Sequence, residues 1–179
     1  MNLPPDLDQP WCRELLSSPG TEIVSQPTAK SDHVDFRLSN SMFSRTLYTP
    51  TGIRAQINFR RPTKEPDAAR PWEFCFLLSV GDGLDGKTGR AHGGFNALLL
   101  DQITGTVAAE ASGAFAPATA TMTVDYKAPI DTPGIILCRG WAIDITGRKN
   151  WIKGSIEDPS GKVFASAKAL FVSPRIQNL

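Results

Sequence analysis

The most apolar stretch of the chain runs from Ala91 to Gly113, about five to six helical turns of mostly small and apolar residues. Between His92 and Glu110 its only charged residue is Asp101. A helix that is apolar on nearly all sides is normally buried on nearly all sides, so we predict a central helix here. A lone carboxylate inside it needs a partner or a wet cleft. Asp101 is therefore either a structural residue that a core hydroxyl satisfies or, as we favour, a catalytic carboxylate in a cleft.

Alternating apolar and polar positions, bounded by turn residues, predict strands on both sides of this helix. A hairpin and a third, more apolar strand are expected before the helix, and four strands after it: Ser41–Tyr48, Ile53–Arg60, Trp72–Val80, Ala118–Tyr126, Ile135–Ile145, Trp151–Glu157 and Lys162–Val172. The short turns favour antiparallel neighbours. One long helix against one curved antiparallel sheet is an α+β layer architecture.

The first forty residues differ in character from the rest. Trp11 to Ser17 predicts a short helix that caps the domain or covers a sheet edge, and Pro19 and Gly20 end it. The polar run from Thr21 to Asn40 predicts an irregular segment. The sequence therefore divides into an N-terminal extension (1–40), one domain (41–174) and a short tail (175–179).

Composition narrows the choice of function and compartment. The 179 residues carry a formal net charge of +1, and scattered basic residues give no indication of nucleic-acid binding. No apolar run reaches the roughly 18 residues of a membrane span, and no secretory signal is evident. Cys12, Cys75 and Cys138 form no metal or redox motif, which favours a reducing, cytoplasmic location. With only His33 and His92 present, we expect no metal and no cofactor.

The predicted helix begins with His92, Gly93 and Gly94, a start suited to binding an oxyanion. The first turn of a helix leaves N–H groups without partners at the positive end of its dipole. Glycine there lets the oxygen of an attacked carbonyl approach the backbone. Asp101 shares a helix face with Gly94 but lies roughly 10 Å further along the axis. One helix places these groups too far apart for one carbonyl, whereas two copies in a dimer could place them together.

The run HGGFNALLLDQITGTVA resembles the central helix of the hotdog-fold acyl-CoA thioesterases. The branch concerned includes phenylacetyl-CoA thioesterase and the human thioesterase-superfamily proteins. The later run TATMTVDYKAPI resembles the strand that follows this helix in the family. The resemblance extends from about Glu73 to Val172. It implies the hotdog fold, a curved antiparallel sheet wrapped around one long central helix, and this agrees with the architecture expected from periodicity.

The resemblance also implies roles for individual residues. The Gly93 amide would bind the thioester oxygen, Asp101 of a second copy would activate water or attack directly, and Thr119 would help to hold the water. His92 is the remaining catalytic candidate, as an orienting group or as a base. The substrate-binding candidates are residues near the helix start and basic residues for the phosphates of CoA: Gly94, Phe95, Asn96, Leu98, Arg90, Arg148 and Lys149. A side-chain amide that assists in some relatives has no counterpart among residues 85–87.

Together, the residues and the resemblance predict an acyl-CoA thioesterase that yields free acid and CoA and works as a homodimer or homotetramer. Two alternatives stay open: a thioesterase for an acyl or polyketide chain on a carrier protein, and a non-catalytic acyl-binding hotdog protein. A hydratase on this fold is disfavoured because no second histidine lies near His92. Acyl length and aromaticity stay open, because the residues expected to line the acyl slot also pack the core.

Overall fold

A long helix, α2 (Gly93–Ser112), packs against one face of a seven-stranded antiparallel sheet in the computed structural model, which describes residues 2–25, 40–114 and 116–175. The sheet strands are β1 (Glu22–Ser25), β2 (Ile53–Pro62), β3 (Trp72–Val80), β6 (Ala118–Tyr126), β7 (Gly134–Thr146), β8 (Lys149–Glu157) and β9 (Val163–Val172). Their order is β1-β2-β3-β7-β8-β9-β6. Strands β4 (Asp85–Lys87) and β5 (Arg90–Ala91) form a separate ribbon. The predicted α+β architecture is confirmed.

Six of the seven predicted strands are present, but the prediction of a strand at Ser41–Tyr48 is wrong. A π-helical segment, Met42–Leu47, occupies that position. Phe43 and Leu47 lie four residues apart, and both pack against the core on one side of this segment. The hairpin expected there is replaced by a pairing of β2 with β1.

The expectation of an irregular segment at residues 21–40 is also partly wrong. Glu22 to Ser25 form strand β1, which pairs with β2. The remainder of that expectation, residues 26–39, lies outside the described residues, as do residues 176–179 of the tail. Between β3 and α2 lie a 3-10 helix (Asp82–Leu84) and the β4–β5 ribbon.

Two facing glycines bring α2 close to the middle of the sheet. Gly140 on β7 pairs with Gly154 on β8. A Cβ atom at Gly140 would lie 3.2 Å from Val107 and 3.3 Å from Ile103, and one at Gly154 would lie 3.1 Å from Thr104. These contacts are tighter than ordinary side-chain packing, so the helix lies directly over glycine backbone. It ends at Gly113, which has a left-handed φ of 65° that glycine adopts without strain.

The N-terminal segment covers the opposite face of the sheet. Helix α1 (Pro10–Ser17) and a short 3-10 helix (Pro5–Leu7) pack there. Leu7, Cys12 and Leu16 form a second apolar core with residues such as Phe59 and Leu77. The short helix expected from the sequence is confirmed, and it packs on a sheet face rather than along an edge. None of the described helices is long and apolar enough to cross a bilayer.

A buried group of charges lies on the same side of the sheet as α1. Glu73 is 2% exposed and accepts hydrogen bonds from Arg61 Nε at 2.7 Å and Arg139 Nη1 at 2.9 Å. Arg139 also contacts Glu157 at 2.8 Å and Glu65 at 2.6 Å. Burial alone would lower the pKa of Arg139, but the surrounding carboxylates outweigh it and raise the pKa above its ordinary value. Arg139 is thus the shared cation that keeps these carboxylates neutralised.

Replacing this cation should destabilise the fold strongly. We expect Arg139→Leu to lower the free energy of unfolding by about 3–5 kcal/mol, because Glu73 would be left buried with less compensation. Urea unfolding followed by circular dichroism measures this. The matched control is Arg13→Leu, which breaks the exposed Arg13–Asp8 pair and should leave stability nearly unchanged. Equal losses in both variants would contradict the special role of the buried group.

Candidate active site

The start of α2 leaves one backbone N–H without a partner. The Gly94 amide donates to Nδ1 of His92 at 2.8 Å, so His92 caps the helix. The Phe95 and Asn96 amides both donate to the His92 carbonyl, at 3.0 and 3.2 Å. Within the described part of the chain, no acceptor contacts the amide of Gly93. This amide, at the positive end of the helix dipole, is the donor available to an anionic oxygen.

Neighbouring elements hold His92 in place. Its amide donates to the Leu84 carbonyl at 2.8 Å, and the preceding Ala91 amide donates to the Ile130 carbonyl at 3.0 Å. Gly86 lies against the imidazole, where a Cβ atom would come within 2.8 Å of Cδ2. A Cβ atom at Gly94 would come within 2.9 Å of Nδ1. Both glycines are therefore required by the position of the imidazole ring.

The cap restricts the chemistry available to His92. To accept the Gly94 N–H, Nδ1 must present its lone pair, so a neutral ring carries its proton on Nε2. In that tautomer Nε2 is a donor and cannot take a proton from water. The geometry therefore favours the orienting role for His92 over the role of general base.

Asp101 and Thr119 form a pair on the open side of the helix. The Thr119 hydroxyl, at the start of β6, donates to Asp101 Oδ1 at 2.9 Å. No described residue donates a hydrogen bond to Oδ2 of Asp101, and the residue is half-buried. From the sequence, only the family resemblance assigned Asp101 and Thr119 to one site. The structure places their side chains in direct contact.

The expectation that α2 is buried on nearly all sides is wrong for the single chain. Its sheet-facing side is fully buried, but a stripe that includes Ala97, Leu98, Asp101, Gln102 and Gly105 is only half-buried. Strand β6 borders this stripe as an edge strand and is exposed along most of its length. The stripe and the edge strand together form one surface that the described residues leave uncovered.

Gly93 and Asp101 are too far apart on α2 to act on one carbonyl carbon within a single chain. Eight residues separate them, which is roughly 12 Å along the axis. An attacking water and an oxyanion donor must lie within hydrogen-bonding reach of neighbouring atoms. A substrate that contacts both groups would therefore need two copies of the helix, and this stays a prediction from the sequence.

Tyr126 belongs to the site but was not identified as a site residue from the sequence. Its hydroxyl donates to the carbonyl oxygen of Gly93 at 3.1 Å, and its side chain is 58% exposed. The sequence signal was its place in the run TATMTVDYKAPI, which resembles the family's strand but gives no contact to the helix start.

The predicted substrate-binding residues near the helix start lie in different environments. Gly94 is exposed, Leu98 is half-buried, and Phe95 is buried in the main core. Asn96 is only 5% exposed, and its Oδ1 has no hydrogen-bond partner among the described residues. Leu98 and Gly94 thus face the uncovered surface, whereas Phe95 and Asn96 face inwards.

The predicted basic residues do not gather at one place in the single chain. Arg90 is exposed two residues before His92. Lys149 pairs across the sheet with Val172, which in turn pairs with Ala118 at the start of β6. Tyr126, which contacts Gly93 at the helix start, lies eight residues after Ala118 and so about 25 Å away along β6. Lys149 is therefore far from the helix start. Arg148 is next to Lys149 and donates to the Ser173 carbonyl at 2.8 Å.

Metal-ion catalysis and a cysteine nucleophile find little support among the described residues. They contain no group of three or more histidine, cysteine, aspartate or glutamate side chains placed to hold a metal ion. The three cysteines are free and buried, and burial raises the pKa of each thiol, so none is a ready nucleophile.

Comparison with known proteins finds similar proteins for part of the chain. Residues 88–165 match the model of the thioesterase superfamily. The mouse acyl-coenzyme A thioesterase THEM4 is 32% identical over 97 residues, which cover 54% of this chain and 41% of the mouse protein. The matching protein of Xenopus laevis is 33% identical, over 43% of its length. The chain therefore spans less than half the length of these curated relatives.

Solved structures give the same architecture. A thioesterase superfamily protein superposes with a TM-score of 0.51 and 31% identity, covering 56% of this chain and 49% of that chain. Zebrafish thioesterase superfamily member 2 superposes with a TM-score of 0.54 over 64% of this chain and 81% of its own. At 15% identity, this second likeness supports the hotdog fold alone.

The capping role of His92 predicts which substitutions the helix tolerates. Asn carries Oδ1 where His carries Nδ1, so His92→Asn should keep the bond to the Gly94 amide and most of the stability. His92→Ala should lower the free energy of unfolding by about 1 kcal/mol, the usual loss on removing a cap. Equilibrium urea unfolding compares the two variants. If both variants lost the same stability, the cap would not be what His92 contributes.

Proposed function

We propose that this chain, in which residues 88–165 carry a domain of the thioesterase superfamily, hydrolyses acyl-CoA thioesters to free acid and CoA. The observation that carries the proposal is the Gly93 amide at the start of α2, which has no acceptor among the described residues. The curated relatives that the chain matches are named as acyl-coenzyme A thioesterases, which supports CoA as the thiol of the substrate.

The Gly93 amide would bind the thioester carbonyl oxygen. As water adds to the carbonyl carbon, that oxygen becomes negatively charged. A preorganised N–H at a helix start stabilises this charge without reorganisation. The other amides of the first turn are occupied by His92, so the negative charge has one well-defined donor.

Asp101 would act on the water. Its Oδ1 is held by Thr119, and its free Oδ2 would accept a proton as the water oxygen bonds to the carbonyl carbon. The tetrahedral intermediate then collapses, the carbon–sulfur bond breaks, and the proton returns to the departing thiolate. In the alternative path, the Asp101 carboxylate attacks the carbonyl carbon directly and forms an anhydride, which water then hydrolyses. This path uses the same two residues, Asp101 and Thr119. In both paths Thr119 positions the carboxylate and the water.

The active site would lie between two copies of the chain. Edge strand β6 has free backbone groups on one side, and the half-buried stripe of α2 lies beside it. Antiparallel pairing of β6 with its copy would satisfy that edge and bring the two helices side by side. Asp101 of one copy could then approach Gly93 of the other. A homodimer, alone or paired into a homotetramer, is the proposed active form.

The remaining substrate contacts follow from this arrangement. Leu98 and Gly94 would border the acyl slot from the uncovered side of the helix, and Arg90 would meet the phosphates of CoA near the helix start. Because Arg148 and Lys149 lie far from that point within one chain, they would serve the site of the second copy. The three free, buried thiols support a reducing, cytoplasmic location.

Removing the charge of Asp101 tests the proposed reaction. We expect Asp101→Asn to keep the fold and the oligomer but to lower hydrolysis by at least a hundredfold, since an amide does not accept the proton. The measurement is release of free thiol from a panel of acyl-CoAs of different chain length and ring content. The matched control is Glu110→Gln on the same helix, whose carboxylate lies at the surface near Arg60 and should be dispensable.

Three outcomes separate the alternatives. Turnover that needs Asp101 but not Glu110 supports the proposal, and the panel gives the preferred acyl group. Full activity of Asp101→Asn would remove this residue from the mechanism. If wild-type protein left every CoA ester intact but cleaved an acyl group from a carrier protein, the carrier alternative would replace the proposal.

A further inference from the structure

We propose that Tyr126 is a positioning residue for the oxyanion site, because its phenol fixes the backbone of Gly93. This inference rests on the proposed function, since it concerns the amide that would bind the thioester oxygen. It adds Tyr126 to the site residues expected from the sequence, which already include Thr119 on the same strand.

The contacts of Tyr126 are directed at one residue. Its hydroxyl donates to the Gly93 carbonyl at 3.1 Å. A Cβ atom at Gly93 would lie 3.4 Å from Cε1, 3.7 Å from Cζ and 3.9 Å from the hydroxyl oxygen of Tyr126. The outer half of the ring therefore lies against the Cα atom of Gly93, while 58% of the side chain stays exposed. A large aromatic side chain this exposed contributes little to the core, which separates its role from packing.

A glycine at position 93 needs a contact that fixes its backbone more than a residue with a side chain would. Only the two backbone dihedrals of Gly93 connect its amide to the carbonyl that Tyr126 holds. Glycine restricts these dihedrals least of all residues, and the first turn of a helix lacks the hydrogen bonds that hold later turns. Fixing the carbonyl and the Cα atom therefore limits the directions in which the free N–H can point.

Tyr126 and Thr119 together tie α2 to one strand. Tyr126 contacts Gly93, and seven residues earlier on β6 Thr119 contacts Asp101. Both functional groups of the helix are thus positioned from β6. In the proposed dimer β6 is also the strand that meets the second copy. The same strand would therefore set where the amide and the carboxylate of opposite copies meet.

The test uses Tyr126→Phe, which removes the hydroxyl and keeps the ring. We expect kcat to fall about tenfold, with KM and the free energy of unfolding nearly unchanged, because the misdirected amide weakens the transition state more than binding. The control is Thr123→Val, which removes an exposed hydroxyl from the same strand; its kcat should equal that of the wild type.

A second measurement does not depend on activity. In ¹H–¹⁵N spectra, the resonance of the Gly93 amide should shift in Tyr126→Phe, while the resonances of amides in the middle of α2 stay unchanged. An unchanged Gly93 amide, or a kcat equal to that of the wild type, would overturn the inference. If the wild-type protein cleaved no thioester, the proposed function would fail, and the amide measurement alone would decide whether Tyr126 positions Gly93.

Discussion

The structure depends on how the first turn of α2 satisfies its backbone amides. A helix start exposes a short series of N–H groups that must find acceptors elsewhere. Here His92 supplies two acceptors, its carbonyl and its Nδ1, and so accounts for the amides of Gly94, Phe95 and Asn96. The Gly93 amide is left, with the helix dipole behind it. The adjacent glycines follow from this geometry, because the imidazole covers Gly94 and the ring of Tyr126 covers Gly93.

The rise of the helix imposes the second constraint. Asp101 lies eight residues beyond Gly93, and no rotamer closes a gap of roughly 12 Å. In the proposed site the two groups share a substrate because a second helix lies alongside. The uncovered stripe of α2 and the free edge of β6 are where such a copy would fit. The described N-terminal residues, 2–25, lie on the other face of the sheet.

The sequence predicted the parts of the molecule that depend on local pattern. The apolar run around Asp101 predicted α2, and period-two alternation predicted most strands, since each signal reflects burial of one element against the sheet or helix. The segment at Ser41–Tyr48 was mistaken for a strand because Phe43 and Leu47 suit either element, and only the core they meet decides between them.

Contacts between distant residues were beyond the reach of such patterns. The bond from Thr119 to Asp101 was expected only through the family resemblance, and the bond from Tyr126 to Gly93 was not expected at all. Whether the Gly94 amide is satisfied depends on which way the His92 ring turns, and the sequence does not encode that in any short motif. The ion group around Glu73 likewise joins residues from separate strands.

The central claim is that one site combines Gly93 of one copy with Asp101 of the other, and a mixed dimer tests it most directly. Gly93→Pro removes the donor N–H at the first helical position, where proline is well tolerated, and His92 already has the extended conformation that precedes proline. Each of Gly93→Pro and Asp101→Asn should inactivate its own homodimer. A dimer with one chain of each kind, isolated with two affinity tags, should recover about half of the wild-type thiol release, since one of its two sites is intact. The reciprocal dimer, a chain with both substitutions beside a wild-type chain, should be inactive. An inactive first dimer with a half-active reciprocal dimer would show that each chain builds its own site, and would contradict the account.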